Sequence, residues 1–269
     1  MNLTRRRFIA LAAAAAAAPA GAGDVLLPSW RLAPEGWGEA STADIKAVLG
    51  SAMQELWRYF PGRKLEGIVV TRGHEGPIVH YKRNDLKEIV VQLDTEGLYW
   101  CQYAYQIAHE FCHILSNFDE DWKGNLWFEE SMCETASLFV LRRLAETWEK
   151  SPPFEVWKTY APRFKEYAED VMNRRTIVAE SRLSDFYAKN QAKLVANPVD
   201  RELNGAISLL LLKVMEAKPE AWEAVTWLNS APSKQGETFE AYLAKCKKAA
   251  PERWHDFITN IAQRFGLNV

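Results

Sequence analysis

The alternation of apolar and polar positions divides the chain into a mixed first half and a helical second half. Ile45, Val48, Leu49, Ala52, Met53, Leu56, Trp57 and Phe60 recur at helical spacing, with Ser41 and Asp44 as a capping pair and Pro61-Gly62 as the stop. Three short β-rich segments follow, residues 67–71, 77–81 and 88–93, punctuated by Gly73, Gly76 and Asn84-Asp85. The last, Ile89-Val90-Val91-Gln92-Leu93, leads into an apolar helix predicted over residues 98–116. From Leu126 onward no strand pattern appears. Helices are predicted over residues 126–148, around Phe164–Met172, over residues 202–217, and from Trp254 to Phe265, before Gly266. The run Leu209–Leu212 is far too short for a membrane span and fits a buried core helix. The expected fold class is α+β: a small N-terminal β-sheet lobe with the long helix, residues 21–125, then an all-helical C-terminal lobe, residues 126–269.

That long helix carries the chemistry. In Gln106-Ile107-Ala108-His109-Glu110-Phe111-Cys112-His113-Ile114-Leu115, the two histidines are four residues apart and share one helix face, close enough to grip one ion. This is the H-E-x-x-H zinc pattern. Glu110, beside that face, is placed to take a proton from an attacking water and hand it to a leaving group. A catalytic zinc needs a third protein ligand and an open position. The segment Trp127-Phe128-Glu129-Glu130-Ser131-Met132-Cys133-Glu134 supplies two carboxylates, Glu130 and Glu134, one helical turn apart and facing the same neighbour. One can bind the metal while the other accepts the free ring N–H of a ligand histidine. Glu129 points about 100° away and is less well placed to cooperate with Glu134. His74, His80 and His255 show no ligand spacing to a second donor, and read as solvated or hydrogen-bonded side chains.

The pairing of His109-Glu110-Phe111-Cys112-His113 with Trp127-Phe128-Glu129-Glu130, with 16 residues between His113 and Glu130, resembles the gluzincin metallopeptidases. The Trp-apolar-x-Glu approach is similar to their aminopeptidase-N-like branch. The resemblance implies a zincin-like, two-lobed fold with the site in the cleft between lobes. It makes His109, His113 and Glu130 ligands of a Zn2+ cofactor, Glu110 the general base and acid, and Glu134 the carboxylate behind a ligand histidine. The close match covers about Gln106 to Ser137. Glu88 to Gly97 lacks the Gly-x-Met-x-Asn strand by which that branch holds a substrate amino terminus, so endopeptidase activity is expected over aminopeptidase activity. Asp200–Ala206 lacks the branch's oxyanion tyrosine, leaving Tyr187 and Arg201 as substitutes.

Charge and composition narrow the partners. The 269 residues are 48% hydrophobic and 25% charged, an ordinary globular balance. Residues 1–20 contribute Arg5, Arg6 and Arg7 and no acid, so without them the net charge moves from −2 to −5. No electrostatic footprint for nucleic acid or an anionic membrane follows from such a chain. Those first twenty residues read as a signal peptide: a basic start, an apolar run from Phe8 to Ala18 too short to span a bilayer, and small residues at Ala18-Pro19-Ala20. The Arg pair followed one residue later by Phe resembles a bacterial twin-arginine export signal, which implies a protein exported folded, to the periplasm or beyond. Cys101 and Cys112 stand about 16 Å apart along one helix and cannot bridge each other. Cys133 is the first partner to test for a disulfide, although small buried thiols are the simpler reading of all four cysteines. Asp119 and Asp121 alternate in an acidic loop without a full calcium pattern and read as solvated.

The expected function is therefore an exported zinc-dependent metallopeptidase acting on a peptide or protein substrate, with Ile89–Leu93 aligning an extended peptide. The alternative is a catalytically weak or inactive zinc-containing module that binds a peptide or cell-wall partner, for which eleven tryptophans offer surface.

Overall fold

The computed structural model describes residues 26–118, 124–230 and 234–269. The expected signal peptide and the acidic positions Asp119 and Asp121 lie outside them. The fold is mixed α and β: a small four-stranded sheet among many helices. The elements in chain order are β1 (Trp30–Leu32), α1 (Thr42–Trp57), β2 (Ile68–Arg72), β3 (Ile78–Val79), β4 (Ile89–Leu93), α2 (Trp100–Leu115), α3 (Leu126–Lys150), α4 (Ala161–Met172), α5 (Leu183–Ala196), α6 (Arg201–Ala217), α7 (Phe239–Ala249) and α8 (His255–Arg264). Among the described residues no strand follows α2, and no helix is long and apolar enough to cross a membrane.

Sequence order and spatial order differ in the sheet. The strands lie β1-β2-β4-β3, with β1, β2 and β4 parallel and β3 antiparallel to β4. Helix α1 makes the crossover between β1 and β2; Ser41 caps it by accepting the Asp44 N–H at 3.0 Å. Its apolar stripe from Ile45 to Trp57 is buried, as the spacing predicts. The arrangement corrects one expectation: β4 has β2 on one side and β3 on the other, so it cannot align a peptide, and the open edge beside the cleft belongs to β3. Strand order is a non-local property, and the β-rich spacing of residues 88–93 carries no record of it.

Helix α2 is fixed at both ends. The Gln106 carboxamide accepts from Asp94 N at 2.8 Å and donates to Asp94 O at 3.1 Å, clamping the end of β4 to the helix. At the other end Arg63 donates to the carbonyls of Ile114 and Leu115, and reaches Asn117 Oδ1 at 2.8 Å and Thr226 Oγ1 at 2.7 Å. The last carbonyls of a helix have no partner within it, so one half-buried guanidinium satisfying two of them anchors this end. Helix α3 packs along α2 in the opposite sense: Ser137 Oγ donates to Tyr105 O at 2.9 Å, while His113 meets Glu129. A single apolar core runs through the sheet side and the helices after it. Trp127, fully buried, packs against Tyr187, Phe239 and Phe265 with ring centroids 4.6–5.9 Å apart.

Candidate metal centre

The antiparallel contact of α2 and α3 brings two histidines and three carboxylates together. His109 and His113 have ring centroids 5.1 Å apart. Their Nε2 atoms both face Glu130, at 3.3 Å from Oε2 for His109 and 3.6 Å from Oε1 for His113. Their Nδ1 atoms turn the other way, each toward a different carboxylate: His109 to Glu134 Oε2 at 3.6 Å, His113 to Glu129 Oε1 at 2.7 Å. An imidazole with Nδ1 held by a carboxylate presents Nε2 as a ligand. Both Nε2 atoms are therefore turned to the Glu130 carboxylate, one to each of its oxygens.

Glu129 is the residue the sequence reading missed. The helical offset that separates it from Glu134 aims it at the other histidine, because along α2 the partners run 109 then 113 while along α3 they run 134 then 129. Glu129 is 1% exposed, and its second oxygen accepts from Asn229 Nδ2 at 2.7 Å. Asn229 also donates to Ser116 O at 3.0 Å, at the end of α2. Glu134, in turn, is held by the Tyr105 hydroxyl and the Arg175 guanidinium.

Electrostatics follow from crowding these groups in a buried place. Burial works to lower the pKa of both histidines, but the carboxylates outweigh it: Glu130 and Glu110 push His109 up to about 9, and Glu129 and Glu130 push His113 up. Burial likewise opposes ionisation of Glu130, yet His109 and His113 hold it below the usual carboxylate range. Glu110, 3% exposed, is raised by burial, although both histidines and the backbone N–H of Val79 favour its carboxylate. That N–H lies on the open edge of β3, since its neighbour His80 uses its own N–H on Val90 O at 2.9 Å.

A cleft of about 780 Å³ opens over this group. It is lined by β3 (Ile78, Val79), by His109, Glu110 and His113, by Glu130 and Glu134, and by Tyr105, Tyr167, Arg175 and Arg201. Of the two substitutes for an oxyanion donor, Arg201 lines the cleft and Tyr187 does not; Tyr187 is 5% exposed inside the Trp127 aromatic cluster. His74 is exposed, His255 Nε2 bonds Ala250 O at 2.9 Å, and neither they nor His80 line the cleft. The four cysteines are buried free thiols. Cys133 contacts the Cys112 thiol, and one donor atom each from His109, His113 and Cys133 lie within 4.8 Å of one another, a group able to hold a metal ion. Comparison of the chain with protein-family models, with curated proteins and with solved structures gives no match.

Proposed function

We propose that this protein is an exported zinc-dependent metallopeptidase of the gluzincin type, with a zincin-like arrangement of lobes about the cleft and peptides or proteins as substrates. The observation that carries this reading is the convergence of His109 Nε2, His113 Nε2 and the Glu130 carboxylate, with Glu110 buried beside them at the floor of an open cleft. Two donors compete for the third position. Cys133 is fully buried and its thiol is pushed well above its ordinary range by that burial, whereas Glu130 is ionised and reaches the cleft. A hard carboxylate already charged is the better ligand, and it leaves the cleft side open, as a catalytic site requires.

Bound zinc would supply Lewis acidity to the scissile carbonyl. The chain's own residues supply the rest. Glu110, whose pKa burial raises, takes a proton from the attacking water and returns it to the departing amine. Glu129 holds the His113 imidazole in one tautomer, and Glu134 stands behind His109 Nδ1 at 3.6 Å, placed to do the same when the ring closes on an ion. The open edge of β3 borders the cleft with the Val79 N–H kept for Glu110, and an extended peptide laid beside it meets main chain and not a side-chain pocket, which supports cleavage within chains of varied sequence. The experiment is metal analysis of the purified protein joined to digestion of a mixed peptide library. About one zinc per chain, internal cleavage, and loss of cleavage with retention of zinc in Glu110→Gln are expected. No zinc after reconstitution would sink the centre; zinc without cleavage of any library would favour the binding module.

A further inference from the structure

One guanidinium in the cleft takes no part in that chemistry and is nonetheless built in. Arg175 lies in the turn after α4, with its side chain 14% exposed. It binds the Glu134 carboxylate, donates from Nη2 to the Tyr105 hydroxyl at 3.2 Å, and donates from Nη1 to Arg201 O at 2.6 Å in the first turn of α6. Surface arginine pairs contribute little, because water screens them and the long side chain loses freedom. A guanidinium with three partners in a partly closed site is a different object: its fork fixes the geometry of what it holds.

The sequence of α6 is shaped to receive it. Gly205 sits inside the helix on ordinary helical backbone, where glycine costs about 1 kcal/mol relative to alanine. A Cβ there would stand 2.3 Å from Arg175 Nη1, 2.6 Å from Cδ and 2.8 Å from Cζ. No turn or left-handed backbone needs a glycine at this place; the arginine crossing it does.

We propose that Arg175, seated on Gly205, is a positioning residue for the metal centre: it fixes the Glu134 carboxylate behind His109 and so sets how tightly the centre holds its ion. The inference rests on the metal-centre reading above. The line of force runs from the α6 backbone through Arg175 to Glu134 Oε1, and from Glu134 Oε2 to His109 Nδ1. It also gives Glu134 a compensating cation in a site that already holds the Glu110 and Glu130 carboxyls.

The test uses the full chain and zinc alone, with affinity measured by chelator competition for wild type, Gly205→Ala, Arg175→Ala, Arg175→Lys and the Ala/Ala double variant. Gly205→Ala and Arg175→Ala should each weaken zinc binding by about tenfold or more. The double variant should be no weaker than Arg175→Ala, because the alanine at 205 acts only by evicting the arginine. Arg175→Lys should recover part of the loss. With cobalt in place of zinc, the visible spectrum of Gly205→Ala should shift toward that of Arg175→Ala. Zinc affinity within twofold of wild type in both single variants would overturn the proposal, as would losses that multiply in the double variant. If Gly205→Ala does not fold by circular dichroism, the contrast between alanine and lysine at 175 decides. Wild-type protein that binds no zinc would remove the metal centre itself and this inference with it, an outcome distinct from intact binding that ignores Arg175.

Discussion

His113 Nδ1 and Glu129 Oε1 lie 2.7 Å apart between two antiparallel helices, and the other Glu129 oxygen is taken by Asn229, 100 positions further along the chain. The carboxylate is 1% exposed, shielded from bulk solvent. Replacing it by Glu129→Gln keeps the shape and removes the charge that fixes the ring. Zinc affinity should fall by roughly 10–100-fold, and Asn229→Ala should fall in the same direction by less. Chelator competition measures both; unchanged affinity in Glu129→Gln would show that His113 needs no partner.

The histidine pKa values give a pH dependence. Metal-free His109 has its pKa raised to about 9 against an ordinary value of 6.5, so its protonated form favours the fold. That contribution is fully present below about 6.5 and is lost as pH rises through about 9. The metal-free protein should therefore melt at a lower temperature at pH 9 than at pH 6.5. Zinc must displace the same proton, so its affinity should climb with pH up to about 9 and then level off, with proton release detectable in weakly buffered solution. A zinc affinity independent of pH between 6.5 and 9 would contradict the raised value.

Val79 provides a test of the open edge. Its N–H lies outside the ladder, where His80 supplies the bond to Val90, and on the side from which it favours the Glu110 carboxylate. A proline is tolerated on an edge strand at a position whose N–H faces outward. Val79→Pro should leave the fold in place by circular dichroism while kcat/KM on peptides drops by roughly tenfold or more, the worth of one hydrogen bond to a charged group. Full activity in this variant would detach both Glu110 and the substrate from β3.

Away from the cleft, Glu55 is 2% exposed on α1, with Arg58 at 3.1 Å and Arg143 at 3.5 Å. Burial raises its pKa more than the two arginines lower it. A carboxyl raised in the fold contributes stability at low pH and loses it as pH rises through the raised value. Glu55→Gln should then raise the melting temperature at pH 7 by roughly 2–4 °C for each ~1 kcal/mol recovered. The gain should shrink toward pH 4, where the wild-type carboxyl is already neutral. Calorimetry at the two pH values checks this, and a loss of stability at pH 7 would mean the ion pairs outweigh the burial.

By itself the sequence determined the features that depend on one helix at a time. Helical repeat is a local property, so His109 and His113 on one face, Glu130 and Glu134 on another, and the buried stripe of α1 could be read from spacing. The same periodicity placed α2, α3 and α6 within a few residues of their observed bounds. Other features needed two distant segments to meet. Strand β1 has three residues, too few for any alternation to register. Helix α5 buries only Leu183, Tyr187, Asn190 and Leu194, a thin stripe with a polar residue in it. The sense in which α3 crosses α2 decided that Glu129 serves His113. Strand order decided that β3 and not β4 has the free edge. Packing around Trp127 drew Tyr187 into the core, while the approach of α6 brought Gly205 under Arg175 and Arg175 onto Glu134. Spacing along a chain fixes which side chains share a face, because the helix repeat is set by backbone hydrogen bonds. Which face meets which is set by burial of the whole apolar surface at once, and only the tertiary structure records that.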